Sequence, residues 1–131
     1  MVKIIVLVFV GGAFGSMLRE FIMIIVPQGS RGFPLDILVA NLVAAFVLGF
    51  HFALHERKVV SDGAHMLVGT GIAGGLSTFS SFAYASSVLM SASTQSAVVA
   101  TAYVVISLVL GYIAVVVGMK IGNQYSDSKD A

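Results

Sequence analysis

The stretch GGLSTFSSF at residues 74–82 brings together residue types that could do chemistry inside an otherwise apolar chain. Glycine weakens a helix, and Ser and Thr hydroxyls compete for backbone hydrogen bonds, so we expect unwinding within residues 74–80. Unwinding frees main-chain carbonyl oxygens, the ligand type that suits a small, hard cation such as sodium. The backbone carbonyls of Gly74 and Ser77 are therefore candidate sodium ligands. A kink satisfied by side-chain hydroxyls, without an ion, fits the same residues.

Phe79 and Phe82 are three residues apart, which places them on one face of the helix that resumes after the break. The edge of an aromatic ring carries positive potential and could contact an anion without trapping it. Core packing is the alternative role for such a pair. Neighbouring hydrogen-bond donors favour the anion, because they could replace part of its hydration shell. These candidate donors are Asn41, Ser80, Ser81, Tyr103 and Ser107.

Arg19 and Glu20 form an adjacent ionised pair inside an apolar run. Charges within a membrane usually face a cavity and mark function, so Arg19 at the mouth of a wet vestibule would attract anions. Snorkelling of both side chains to the membrane interface is the alternative. Glu20 leaves a second function open: a small proton-coupled exporter of the multidrug type, with Glu20 as its titrating carboxylate.

Other chemistries find little support in the sequence. His51 and His55 are four residues apart, but the pattern supplies no third ligand and so does not predict a metal site. The chain has no cysteine, which removes disulfides and Cys-based redox or metal chemistry. A net charge of +1 gives no support to nucleic-acid binding. We expect no enzymatic activity.

The elements that must position these residues are membrane-crossing helices. Of the 131 residues, 58% are hydrophobic and 10% are charged, a composition typical of a chain dissolved in lipid. Four apolar runs are each near the length that crosses a bilayer, at about 4–26, 37–54, 64–90 and 97–119. Together they predict one all-α transmembrane domain, and Gly11 and Gly15 in the first run predict close helix packing.

The third run is longer than a straight crossing needs, which is typical of a helix broken near the bilayer midplane. Unwound backbone must be buried in protein or line a wet cavity, because lipid satisfies none of its polar groups. A second copy crossing at the same break would double the number of carbonyl oxygens and bury the irregular backbone. The sequence therefore favours a homodimer.

Three segments together resemble the Fluc, or CrcB, family of fluoride channels. They are GGAFGSMLR in the first run, the asparagine at position 41, and GTGIAGGLSTFSSF in the third run. The resemblance covers essentially the full chain. It implies a multi-pass protein of the bacterial inner membrane that assembles as an antiparallel, dual-topology homodimer and exports toxic fluoride passively.

The same resemblance implies roles for individual residues. A structural sodium ion at the dimer centre would be held by the carbonyls of Gly74 and Ser77. The fluoride path would follow the family's paired phenylalanines, its asparagine, the hydroxyls beside them, its polar track on the fourth helix and the arginine after the first glycines. These positions are Phe79, Phe82, Asn41, Ser80, Ser81, Tyr103, Ser107 and Arg19.

The chain departs from the usual family pattern at four positions. Ser81 stands where threonine is usual, Ala83 where serine is usual, and Ala85 where an acidic residue is usual. Gly111 lacks a hydroxyl that some members have at the end of the polar track. The first three changes remove a methyl, a hydroxyl and a carboxylate beside the expected pore, and they would lower conductance without changing the fold.

Overall fold

The structure is a computed structural model that describes residues 2–130, without the side chains of residues 31, 129 and 130. Helix α1 spans Val2–Ile25, and α2 spans Leu35–Glu56 after a single 3₁₀ turn. The next crossing is divided into four parts: α3 (Asp62–His65), a π-helical turn (Met66–Ile72), α4 (Ala73–Leu76) and α5 (Phe79–Ala92). Helix α6 spans Thr94–Asp130.

Within the described residues every regular element is helical. Four helical segments are long and apolar enough to cross a membrane: Val2–Ile25, Leu35–Glu56, Asp62–Ala92 and Thr94–Ser128. The predicted all-α fold with four membrane-crossing segments is confirmed.

The packing of α1 on the third crossing depends on glycine. A Cβ on Gly15 would overlap the carbonyl oxygen of Ile72, and a Cβ on Gly75 would overlap that of Gly12. Gly71 likewise approaches Gly11, where an added Cβ would lie 2.9 Å from the Gly11 Cα. Backbone contact at this range excludes any side chain, so the close packing predicted for Gly11 and Gly15 is confirmed.

Helix α6 continues well past the predicted end of its span, because its last turns pack on α2. A Cβ on Gly122 would lie 2.7 Å from the carbonyl oxygen of Phe50, and Ser126 is almost fully buried. Arg57, just after α2, donates to the Asp127 carboxylate at 2.6 Å. These contacts make the polar C-terminal segment a continuation of the helix rather than a separate tail.

Candidate functional site

The third crossing is interrupted at Ser77 and Thr78, inside the region where the sequence predicts unwinding. Ser77 (φ −74°, ψ 153°) and Thr78 (φ −146°, ψ 108°) are extended. Helix α5 starts at once, because the Thr78 hydroxyl caps it by accepting from the Ser81 N–H at 3.2 Å. The break is therefore shorter than the predicted interval of residues 74–80. One of its own residues, Thr78, caps the helix that follows.

Asn41 on α2 satisfies the backbone that the break leaves unpaired. Its Nδ2 donates to the Thr78 carbonyl at 3.2 Å, and its Oδ1 accepts from the Thr78 N–H at 2.7 Å. One amide thus replaces both hydrogen bonds that a continuous helix would have given Thr78. The structure places Asn41 at the break as a clamp on the main chain.

Arg19 reaches the same break from α1. Its Nη1 donates to the carbonyl oxygens of Gly75 at 3.0 Å and Ser77 at 3.4 Å. The sequence indicated that Arg19 faces a cavity or the interface, and it gave no sign of this partner in the third crossing. The guanidinium carries a positive charge to the carbonyl ends of α4, where the helix dipole is negative.

The hydroxyls of the motif bond mainly to one another. Ser77 Oγ donates to the Gly74 carbonyl at 3.3 Å. The Thr78 hydroxyl donates to Ser81 Oγ at 3.0 Å and shares a hydrogen bond with Ser80 Oγ at 3.3 Å. The two sides of the break are therefore linked to a short polar track at the start of α5.

The aromatic residues form a continuous series across α5 and α6. The ring centroids of Phe79 and Phe82 are 6.0 Å apart, and those of Phe82 and Tyr103 are 5.3 Å apart. Phe33, which sequence reasoning missed, meets Tyr103 edge-on at 5.4 Å. Phe79 is 80% exposed, so packing within the chain does not account for its position.

Most of the candidate residues line one of two cavities. One, of about 630 Å³, is lined by Thr78, other neighbours and six of the candidates: Asn41, Gly74, Ser77, Phe79, Phe82 and Ser107. The other, of about 660 Å³, is lined by Ser80 and Ser81 together with Asp36, Tyr84 and Ala85. Tyr103 contacts Phe82, and its hydroxyl and that of Ser107 are both buried. The candidate anion donors therefore share one region of the fold.

Asp36 is the residue in this region that sequence reasoning overlooked as a site. It lies in the first turn of α2, is 6% exposed, and has a buried Oδ1 without a partner among the described residues. A carboxylate at the start of an apolar run, five residues before Asn41, was the available signal.

His65 on α3 packs against the two histidines of α2, His51 and His55. Its ring stacks on His55, with centroids 4.1 Å apart, and on His51, with centroids 5.7 Å apart. His55 also contacts the Asp62 carboxylate at 3.0 Å. Parallel rings do not direct three nitrogens at one point, and no group of three or more His, Cys, Asp or Glu in the described part of the chain is arranged to hold a metal ion.

These features define a class: a multi-pass membrane protein whose third crossing helix is broken. An amide and a guanidinium from other helices hydrogen-bond to the backbone at that break. Residues 6–119 match the family model described as CrcB-like protein, Camphor Resistance (CrcB). The chain belongs to the CrcB family.

Curated relatives carry a consistent name. The chain is 58% identical over 127 residues to "Fluoride-specific ion channel FluC 2" of Brucella melitensis biotype 1, covering 97% of this chain and 47% of the relative. It is 50% identical over 122 residues to "Fluoride-specific ion channel FluC 3" of Yersinia pseudotuberculosis serotype I, covering 93% and 90%. It is 38% identical over 116 residues to "Fluoride-specific ion channel FluC" of Ignicoccus hospitalis, covering 88% and 92%. The chain spans about half the length of the Brucella relatives it matches.

Proposed function

We propose that this chain forms a fluoride-specific ion channel that exports fluoride passively. The observation that carries the proposal is the 50% identity to a fluoride-specific channel of which the chain covers 90%. The polar and aromatic residues around the break are consistent with it. They offer an anion several weak contacts in series, which permit exit as well as entry.

The proposed route runs along both cavities beside α5. Fluoride would lose part of its hydration to Asn41 and to the hydroxyls of Ser80 and Ser81, and then pass the edges of Phe79 and Phe82. The buried hydroxyls of Tyr103 and Ser107 supply further donors on α6. Arg19 adds positive charge near the route, since its guanidinium lies against the break.

The proposal includes a homodimer, antiparallel and inserted with dual topology. Its support is the open side of the break: Gly74 and Ser77 are exposed, and an added Cβ on Gly74 would meet nothing within 4 Å. Extended backbone facing lipid would be costly, and a second copy at the same break would cover it. The expected location is the inner membrane of a bacterium.

A structural sodium ion at the dimer centre belongs to the same proposal. The carbonyls of Gly74 and Ser77 have the oxygen chemistry that sodium needs, and each accepts one hydrogen bond while keeping a second lone pair. Both residues lie on the side where the partner would contribute its own carbonyls. When bound, sodium would supply positive charge that holds the four carbonyls together.

The proton-coupled exporter finds no support in the relatives, which are named as channels. Glu20 is exposed on α1, whereas a coupling carboxylate is expected in a cavity. The channel proposal assigns no catalytic reaction to the chain.

Purified protein reconstituted in vesicles loaded with fluoride and chloride tests the proposal. A fluoride electrode should record rapid release while chloride is retained, with or without a proton gradient. The variant Glu20→Gln should release fluoride at the parental rate. Release that requires a proton gradient and is lost in Glu20→Gln would replace the channel with the exporter.

A further inference from the structure

Arg19 hydrogen-bonds to the backbone of the break. Its Nη1 donates to the Gly75 carbonyl at 3.0 Å and, over the longer distance of 3.4 Å, to the Ser77 carbonyl. The close helix contact one turn earlier gives Arg19 this reach, since a Cβ on Gly15 would lie 2.9 Å from the Leu76 nitrogen. A guanidinium is always protonated in proteins, so a permanent positive charge lies against these carbonyls.

The peptide group between Ser77 and Thr78 is held at both ends by different helices. Arg19 of α1 donates to its oxygen at 3.4 Å, and the Oδ1 of Asn41 on α2 accepts from its N–H at 2.7 Å. Because a peptide group is planar, fixing both ends sets the direction of its carbonyl. The orientation of the Ser77 carbonyl therefore depends on contacts from two neighbouring helices.

The Ser77 carbonyl is one of the two proposed sodium ligands, and the Ser77 side chain contacts the other. Its Oγ donates to the Gly74 carbonyl at 3.3 Å. A carbonyl oxygen has two lone pairs, so one accepted hydrogen bond leaves the second for a cation. Groups that orient the ligands of a metal ion, without touching the ion, strongly affect its affinity. Arg19 has this relation to the proposed site, because it binds one ligand directly.

The positive charge of Arg19 does not by itself suit a cation site. Two positive charges near the same carbonyl repel each other, and this repulsion lowers the affinity for the cation. What Arg19 adds is a bridge between a carbonyl inside α4, that of Gly75, and one in the extended segment, that of Ser77. A planar guanidinium makes such a bridge with a fixed geometry, whereas the ammonium of lysine is a flexible point charge.

We propose that Arg19 is a positioning residue that makes the carbonyl site select sodium over potassium. By holding the Ser77 carbonyl to α4, it keeps the ligand oxygens from moving apart around a larger ion. Discrimination by size requires carbonyl oxygens that are held in place, since a flexible set adapts to the larger ion. The inference rests on the sodium ion and the homodimer proposed above. It gives Arg19 a role toward the cation beside the positive charge that it adds near the anion route.

Thermal unfolding of the purified protein in detergent tests the inference, in sodium, potassium or N-methylglucamine chloride at constant ionic strength. A cation that binds only the folded protein raises the Tm with its concentration, and this rise gives its apparent affinity. We expect the parental protein to bind sodium more tightly than potassium, and this preference to fall on the order of tenfold in Arg19→Lys and Arg19→Gln. The matched control Glu20→Gln, at the next position of α1 and exposed, should keep the parental preference.

Two results would overturn the inference while leaving a cation site in place. They are a parental protein that binds sodium and potassium equally, and a preference for sodium that is unchanged in either Arg19 variant. Absence of folded protein in both variants at every cation concentration would also overturn it, because Arg19 would then hold the fold and not the site. A parental Tm that is the same in sodium and in N-methylglucamine would instead reject the proposed sodium site itself. Fluoride release from vesicles shows separately whether the channel function stands.

Discussion

The two halves of the third crossing are built in opposite ways. Before the break, α4 and the π-helical turn lie against α1 with glycine facing glycine, so that backbone meets backbone. After the break, α5 has no buried residue, and Phe79 at its start is 80% exposed. The first half is therefore packed tightly within the chain, whereas the second half rests on α6 and leaves much of its surface uncovered. The tight packing of the fold and the residues of the proposed route thus fall on different sides of Ser77 and Thr78.

The largest effect should come from adding a methyl group to the tightly packed first half. In Gly75→Ala the new Cβ would overlap the Gly12 carbonyl oxygen, and rigid backbone cannot move away cheaply. We expect a loss of about 3 kcal/mol or more and little folded protein, measured by thermal denaturation in detergent.

Gly74→Ala is the matched control for that change, because its Cβ would meet nothing within 4 Å inside the chain. We expect helical content to be retained and the dimer fraction, measured by light scattering, to fall. Equal damage from both variants would mean that the two faces of α4 do not differ as described.

The next largest effect should come from Asn41, which binds the backbone at the break between the two halves. Asn41→Ala leaves both the N–H and the carbonyl of Thr78 unpaired, at a cost of about 2–4 kcal/mol in thermal or chemical unfolding. Asn123→Ala, on α6 and partly exposed, is the comparison and should change stability by less than about 0.5 kcal/mol. A similarly small change for Asn41→Ala would show that the Asn41–Thr78 hydrogen bonds do not stabilise the break.

Changes in the second half should affect transport more than stability. Phe79→Ile and Phe82→Ile remove an aromatic edge while keeping apolar volume, and each should slow fluoride release on the order of tenfold. Phe52→Ile, on an exposed face of α2, should leave release unchanged. Unaltered flux in both pathway variants would exclude the phenylalanine route, provided that both variants remain dimeric.

The smallest effect is expected at the far end of α5. Ser91 donates to the Ser87 carbonyl at 2.9 Å on an exposed surface, and Ser91→Ala should change stability by less than about 0.5 kcal/mol. Thermal denaturation beside the parental protein measures this. A larger loss would show that the second half is held more tightly than its exposure indicates.

Sequence reasoning located what depends on local chemistry. Glycine and hydroxyl residues weaken a helix wherever they occur, so the break was predictable to within a few residues of Ser77 and Thr78. The partners of that break were not predictable, because Asn41 and Arg19 reach it across 37 and 58 positions of the chain. The joining of His65 to His51 and His55 is likewise a result of tertiary packing.

The π-helical turn at Met66–Ile72 sets the rotational phase of everything that follows it in the crossing. A π turn takes in one residue more than an α turn, and one residue corresponds to about 100° of rotation. With the same residues wound as ordinary α-helix, Gly75 would turn away from Gly12 and a bulkier neighbour would face α1. One widened turn therefore determines that Gly75 packs against α1 and that the adjacent Gly74 stays exposed on the surface of the chain.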